Sequence, residues 1–163
     1  FARQIEFIQN SGIVTAMVGL LEALPGTRLY ERLKREGRLT EAETSGDNAD
    51  ATTNIVPRMD LGALRDGYKE IMRTIYTPKH YYRRVRTFLR EYKTPCFHAS
   101  HSVPRLLAAC RSAVRLGIFG RERVHYWGLM GWTLLHRPQL LSLAISLSIY
   151  GYHFRKVCER HLQ

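Results

Sequence analysis

The residues whose types and spacing are best suited to chemistry are Cys96, His98 and His101, which form a short Cys-x-His-x-x-His run. Thiolate and imidazole groups bind zinc, but such a site takes four ligands, and this run lacks a fourth ligand or a nearby carboxylate. Cys110 and Cys158 follow at intervals of 14 and 48 positions, so no C-x-x-C pair exists. An odd number of cysteines at these spacings argues against a disulfide framework and a zinc site, and fits a reducing cytoplasm.

No P-loop, G-x-S-x-G, G-x-G-x-x-G or H-E-x-x-H pattern occurs in the chain. Independent kinase, hydrolase, dehydrogenase or metalloprotease chemistry therefore has no sequence motif to support it.

A basic stretch, 79–93, contains six Lys or Arg residues against the single acid Glu91. Aromatic residues between basic ones can stack on the bases of single-stranded nucleic acid. On a helix, however, Tyr81, Phe88 and Tyr92 share one face, which favours aromatics in a core and arginines on a solvated or docking face. We therefore keep two interpretations, a solvated face and a site for an anionic partner, either nucleic acid or an anionic membrane surface. The candidate residues for that partner are Lys79, Arg83, Arg84, Arg86 and Arg90.

The charge of the chain is unevenly distributed. Residues 1–59 hold 7 basic and 8 acidic residues, whereas residues 60–163 hold 18 and 6, which together give the net charge of +11. A basic region of this kind commonly faces nucleic acid, phospholipid, a phosphorylated ligand or an acidic protein surface, and composition does not choose among them.

The first part of the sequence has the pattern of an αβα layer. Residues 1–11 have helical spacing, 13–24 form an almost wholly apolar run that starts with β-branched residues and stops at Pro25-Gly26, and Thr27 begins a helix that ends near Gly37. The apolar run predicts a strand buried on both faces in a parallel sheet. Such a strand needs sheet neighbours, so we expect it to belong to a larger sheet, to pair with a second copy in a homodimer, or to lie disordered or helical against the rest.

The second part predicts helices over 61–76, 78–92, 103–117, 121–136 and 138–160 after an irregular connector over 38–59. The fold class is therefore mainly α: a helical bundle preceded by an αβα remnant, with divisions at 1–37, 38–59 and 60–163. Residues 138–154 carry no charge, but a helix of 17 residues spans only about 25 Å, short of the roughly 30 Å of a bilayer core. We interpret it as a core helix. The alternative is a peripheral membrane hairpin over 121–160, with Trp127, Trp132 and Tyr150 near the interface and Arg121, Arg123, Arg155 and Lys156 flanking it.

The runs that carry a family resemblance are QIEFIQNSGIVTAMVGLLEALPGTRLYERLKREGRL (4–39), GDN (46–48), NIVPRM (54–59), GYKEIMRTIYTPKHYYRRV (67–85) and FLREY (88–92). They resemble the C-terminal part of cobalamin-binding-domain radical SAM proteins, in the hopanoid C-3 methylase-like branch. The resemblance implies that 13–24 is the last strand of a partial (β/α) barrel and that Leu24, Pro25 and Gly26 lie beside S-adenosylmethionine (SAM). It also implies a parent enzyme, methyltransferase-like, that uses a [4Fe-4S] cluster, SAM and cobalamin, with the upstream barrel and cobalamin domain as partners of a helical domain that covers the barrel and shapes substrate access.

The chain departs from this family in two motifs. The C-x-x-x-C-x-x-C run that ligates the cluster and the D-x-H-x-x-G cobalamin motif do not occur, so we expect no catalysis by this chain alone. The alternative function is a non-enzymatic basic helical module that binds nucleic acid or an anionic membrane surface. We expect a cytoplasmic protein, with a position at the membrane periphery as the alternative.

Overall fold

The structure, a computed structural model, describes residues 1–40, 51–93 and 103–161. The described part is mainly helical, which confirms the predicted fold class. Its seven α-helices are α1 (Ala2–Asn10), α2 (Arg28–Arg35), α3 (Leu61–Ile75), α4 (Pro78–Glu91), α5 (Val103–Ser112), α6 (Arg123–His136) and α7 (Leu141–His161). A π-helical segment, Ala113–Ile118, follows α5, and a single 3-10 turn, Pro138–Leu140, precedes α7.

Several helix ends lie where local chemistry predicts them. The side chain of Thr27 accepts a hydrogen bond from the Tyr30 amide at the start of α2, and Asp60 Oδ1 accepts one from the Ala63 amide at the start of α3. Such caps satisfy amides that have no partner within the helix. Pro78 is the first residue of α4, a position that needs no amide hydrogen. The predicted helix at 103–117 instead changes from α to π at Ala113.

The core lies between α3, α4, α6 and α7 and is rich in tyrosine. The ring of Tyr76 stacks between those of Tyr81 and Phe154, at centroid distances of 6.2 and 5.6 Å. The Tyr81 hydroxyl donates to the Leu147 carbonyl at 2.7 Å, which satisfies the polar end of a buried ring. A Cβ at Gly151 would stand 2.2 Å from that ring, so glycine allows α7 to approach α4 this closely.

Helix α7 is the core helix that the uncharged run 138–154 predicted. Leu140, just before it, and Ala144, Ser148, Gly151 and Cys158 along it are buried at helical spacing. Among the residues that the structure describes, no helix has both the length and the apolar character needed to cross a membrane.

The predicted strand at 13–24 is extended but is not part of a sheet. Within the described ranges the β-type pairing is one isolated antiparallel bridge, Leu39 to Ile55, and no backbone–backbone hydrogen bond joins residues 13–23 to another segment. The run is not helical, which excludes one of the expected alternatives. Its pairing with a larger sheet or with a second copy stays a prediction. Its local pattern favours extended backbone, and a ladder requires a neighbouring strand that the described residues do not supply.

Candidate functional site

The most unusual feature of the molecule is the extended segment, which we define as residues 13–24. Burial alternates along it: Val14, Ala16 and Val18 face the helices, while Ile13 and Met17 face outward, with Met17 83% exposed. A period of two is that of a β-strand. The segment thus has the alternating burial of a strand, although its backbone bends at Val14 and Thr15. Both of its faces are apolar, and one of them is uncovered.

Side chains of α3 and α4 hold the first half of the extended segment. The guanidinium of Arg84 donates from Nε to the Ile13 carbonyl at 2.9 Å and from Nη2 to the Val14 carbonyl at 3.3 Å. The Tyr76 hydroxyl donates to the Ala16 carbonyl at 2.9 Å. Burial raises the pKa of Tyr76, so this hydroxyl keeps the proton that it donates. Three backbone carbonyls thus have partners without any sheet.

The position of Arg84 shows that one prediction about the basic stretch, its contact with an anionic partner, is wrong for this residue. Its side chain is fully buried, with 0% exposure, and its guanidinium lies 5.6 Å from the centroid of the Tyr81 ring. Burial lowers the pKa of Arg84 because the charged form is desolvated. Arg84 therefore cannot present its charge to a partner at the surface; its role is to fix the start of the extended segment.

The connector holds the second half of the extended segment. Asn54, itself buried, accepts a hydrogen bond from the Ala23 amide through Oδ1 and donates one to the Ala23 carbonyl through Nδ2, both at 2.8 Å. The Thr53 hydroxyl donates to the Leu21 carbonyl at 2.6 Å. The amide side chain of Asn54 thus takes the place that the backbone of a neighbouring strand would have. Sequence reasoning missed Asn54, and its one signal was its place in the quoted run 54–59.

The predicted cofactor residues follow directly at the end of the extended segment. Leu24, Pro25 and Gly26 are all exposed and form a turn that the Thr27 amide closes by donating to the Leu24 carbonyl at 3.2 Å. Gly26 has a positive φ of 80°, and no atom lies within 4 Å of where its Cβ would stand. The structure thus brings these three residues together on an open surface, and their contact with SAM stays a prediction.

The other predicted anion-binding residues lie on the outer side of α4. Lys79, Arg83, Arg86 and Arg90 are exposed. Two of them already have contacts within the chain: Arg83 donates to Gln9 at 3.5 Å, and the guanidinium of Arg86 lies 5.2 Å from the centroid of the Trp132 ring. An anionic partner for this face stays a prediction.

Cysteine and histidine do not form a metal site in the described ranges. No three His, Cys, Asp or Glu side chains come together there. Cys110 is exposed and Cys158 is buried, whereas Cys96, His98 and His101 lie outside the described residues.

Comparisons with known proteins first give the class. The chain belongs to the family described as Domain of unknown function (DUF4070), whose profile matches residues 27–163. No solved structure matches the chain.

Two curated relatives then connect this class with methyl transfer. The chain is 29% identical over 156 residues to an uncharacterized methyltransferase of Synechocystis, covering 93% of this chain and 29% of that protein. It is 27% identical over 131 residues to the hopanoid C-2 methylase of Rhodopseudomonas palustris, covering 76% of this chain and 24% of that protein. The chain thus spans less than a third of the length of either relative. The C-3 branch of the resemblance stays a prediction, since the named relative is a C-2 methylase.

Proposed function

We propose that this chain is the C-terminal module of a larger radical SAM enzyme of methyltransferase type, and that its extended segment completes the sheet of the catalytic part. One observation carries the proposal: residues 13–23 have the alternating burial of a strand and apolar faces, but no backbone ladder within the described residues. The relatives, which are more than three times as long as their match to this chain, support a parent protein of that size.

The physical argument concerns unpaired backbone groups. An apolar segment with free amides and carbonyls is either paired in its working state or prone to pair with any available strand. Here Arg84, Tyr76 and Asn54 satisfy particular carbonyls and one amide from the helical side. The side chains of Met17 and Leu21 remain exposed. A parallel neighbour would supply both the missing hydrogen bonds and an apolar cover.

The proposed orientation places the turn 24–26 at the cofactor side. In parallel α/β sheets ligands bind beyond the carboxyl ends of the strands, and Leu24, Pro25 and Gly26 follow that end of the extended segment. The open space above Gly26 and the exposed Leu24 side chain suit the close approach of a flat apolar ring such as adenine. SAM would supply the methyl or radical chemistry; this chain would contribute only backbone and apolar contacts to it.

The cluster and cobalamin do not fit the residues of this chain. Its three cysteines lie 14 and 48 positions apart, whereas a radical SAM cluster needs three thiolates within one short run. These cofactors therefore belong to the upstream barrel and cobalamin domain of the parent. The helical domain would cover the barrel and limit access to the substrate.

Amide hydrogen exchange in a longer protein tests this proposal. The reading frame upstream of Phe1 is sequenced and expressed together with residues 1–163. Exchange of residues 14–22, whose amides have no partner like that of Ala23, is compared with that in the 163-residue chain. We expect strong protection of these amides only in the longer protein, because ladder hydrogen bonds form there. Leu21→Asp should remove the protection, while Leu135→Asp, an equally apolar and exposed control on α6, should leave it. Equal exchange in both proteins would refute the proposal.

A second candidate function rests on the four exposed cations of α4, Lys79, Arg83, Arg86 and Arg90. If this face binds single-stranded nucleic acid, affinity for an oligonucleotide should fall steeply with salt, and Arg83→Ala with Arg90→Ala should reduce the salt slope. Salt-independent or undetectable binding would exclude this alternative.

A further inference from the structure

The outer side of α6 and the turn before it form an exposed apolar surface. We call it the α6 surface and define it by Ile118, Phe119, Val124, Trp127, Leu134 and Leu135. Phe119 is 83% exposed and Leu135 is 82% exposed. The α6 members recur at positions 124, 127, 134 and 135, so they share one side of the helix.

The inner side of α6 is already used by the core. Tyr126, Leu129, Met130 and Thr133 are buried, and the helix packs against α4 and α7. A helix that is apolar on all sides is expected inside a large protein or in contact with lipid. Since one side of α6 is exposed, that side has no partner among the residues that the structure describes.

The turn presents Phe119 outward in a fixed conformation. Trp127 Nε1 donates to the Gly117 carbonyl at 3.0 Å, and a Cβ at Gly117 would stand 2.9 Å from that nitrogen. Three residues after Phe119, the buried Glu122 forms an ion pair with Arg155 of α7 at 2.5 Å. These two contacts fix the chain on either side of Phe119, and its ring is exposed to solvent. Burial of such a ring would lower the free energy of the protein.

The charged residues around this surface are mostly basic, although the exposed Glu159 of α7 lines the same hollow as Phe119 and Arg121. Residues 113–137 contain the four arginines Arg115, Arg121, Arg123 and Arg137 and the single acid Glu122. Because Glu122 is buried and paired, no carboxylate of this stretch faces solvent. Arginines beside exposed phenylalanine, tryptophan and leucine are the arrangement by which a protein lies on an anionic bilayer without crossing it.

We propose that the α6 surface docks onto an anionic phospholipid membrane. Phe119, Val124 and Leu135 would enter the boundary between headgroups and acyl chains, while Arg121 and Arg123 contact lipid phosphates. Strand pairing and lipid docking use different parts of the molecule, since the extended segment is held by α3, α4 and the connector.

Vesicle co-sedimentation of the 163-residue chain tests this. With phosphatidylcholine vesicles that contain phosphatidylglycerol, we expect binding that weakens with salt; with phosphatidylcholine alone, we expect much weaker binding. Phe119→Ser with Leu135→Ser should lower the partition coefficient about tenfold or more, because the apolar area that enters the membrane is lost. Arg121→Gln with Arg123→Gln should lower it about twentyfold at low salt, roughly fivefold for each charge near the surface.

Two matched controls distinguish binding through the α6 surface from nonspecific binding through positive charge or exposed apolar side chains. Arg83→Gln with Arg90→Gln removes the same net charge from α4, and Met17→Ser with Leu21→Ser removes apolar side chains from the extended segment. We expect each control to change the partition coefficient less than twofold. Controls that weaken binding as much as the α6 variants would overturn the proposal.

The remaining outcomes concern other occupants of the α6 surface. Analytical ultracentrifugation of the 163-residue chain shows whether it dimerises. If Phe119→Ser with Leu135→Ser dissociates a dimer and leaves vesicle binding unchanged, a second copy covers the α6 surface and the proposal is wrong. If the longer protein fails to bind vesicles that the 163-residue chain binds, the rest of the protein covers this surface and the proposal is also wrong.

Discussion

Replacement of Asn54 by alanine is the sharpest test of how the extended segment is held. The side chain of Asn54 forms two hydrogen bonds with the amide and the carbonyl of Ala23, a residue with 0% exposure. Without them, both backbone groups stay buried and unsatisfied. Each such group costs about 1–3 kcal/mol, so the extended segment should lose roughly 2–6 kcal/mol of its attachment.

The loss need not appear as global unfolding, because the end of the extended segment can detach while the helical core stays folded. We therefore expect the amide of Ala23 to exchange faster by a factor of about 30 to 20,000, since each 1.4 kcal/mol corresponds to roughly tenfold. Exchange of the α4 and α7 core amides should change little. The assay is amide hydrogen exchange read by NMR or mass spectrometry, with the midpoint of urea unfolding measured in parallel.

Two further variants make the reasoning refutable. Asn54→Asp keeps an acceptor for the Ala23 amide but sets a carboxylate against the Ala23 carbonyl, so it should fail to rescue the attachment. Asn10→Ala, an exposed position at the end of α1, should leave Ala23 exchange unchanged. If Ala23 is as protected in Asn54→Ala as in the wild type, the side chain of Asn54 does not hold the extended segment.

Three other predictions concern the helical core. Gly151→Ala should destabilise the fold by about 1–3 kcal/mol, because the new Cβ would stand 2.2 Å from the Tyr81 ring; the change in Tm on thermal unfolding measures this. Glu122→Ala should cost about 3–5 kcal/mol, because the mostly buried guanidinium of Arg155 then keeps only its longer, 3.6 Å contact with the exposed Glu159. Urea unfolding measures the loss, and a change below 1 kcal/mol would mean that the pair behaves as a surface pair. Burial raises the pKa of the Cys158 thiol to about 11, so at neutral pH it should remain protonated and react with iodoacetamide much more slowly than the exposed Cys110. Peptide mass spectrometry checks that order, and equal rates would contradict the burial of Cys158.

The helical part of the fold was predictable from the sequence because its signals are local. Asp60 and Pro78 mark the starts of α3 and α4, and the observed ends, Ile75 and Glu91, fall one residue before the predicted ones. The change to a π-helix at Ala113 was not predictable, since it depends on packing that helical periodicity does not record.

The candidate site was only partly predictable, because its interactions join residues far apart in sequence. Alternating burial along residues 13–24 follows from a pattern visible in the sequence. The side chains that bind the backbone of residues 13–23 from the helices and the connector, however, lie 31 to 71 positions away. Arg84 illustrates the limit. Its place in a run of basic residues predicts a position at the surface, and only the fold shows that its guanidinium binds two backbone carbonyls in the core.

The extended segment and the α6 surface are both apolar and uncovered, but they differ in whether their backbone amides and carbonyls already have hydrogen bonds. This difference favours a different partner for each. Residues 13–23 have no backbone ladder within the described residues, so a lipid environment would leave without hydrogen bonds those amides and carbonyls that no side chain binds, at a cost of several kcal/mol for each group. A neighbouring β-strand removes that cost. Helix α6 satisfies its backbone internally, so its outer side can be covered by hydrocarbon with no polar penalty. A sheet partner therefore suits the extended segment, and a bilayer surface suits α6. The assignment predicts that Met17→Ser should weaken binding to the catalytic part and spare vesicle binding, whereas Phe119→Ser should do the reverse.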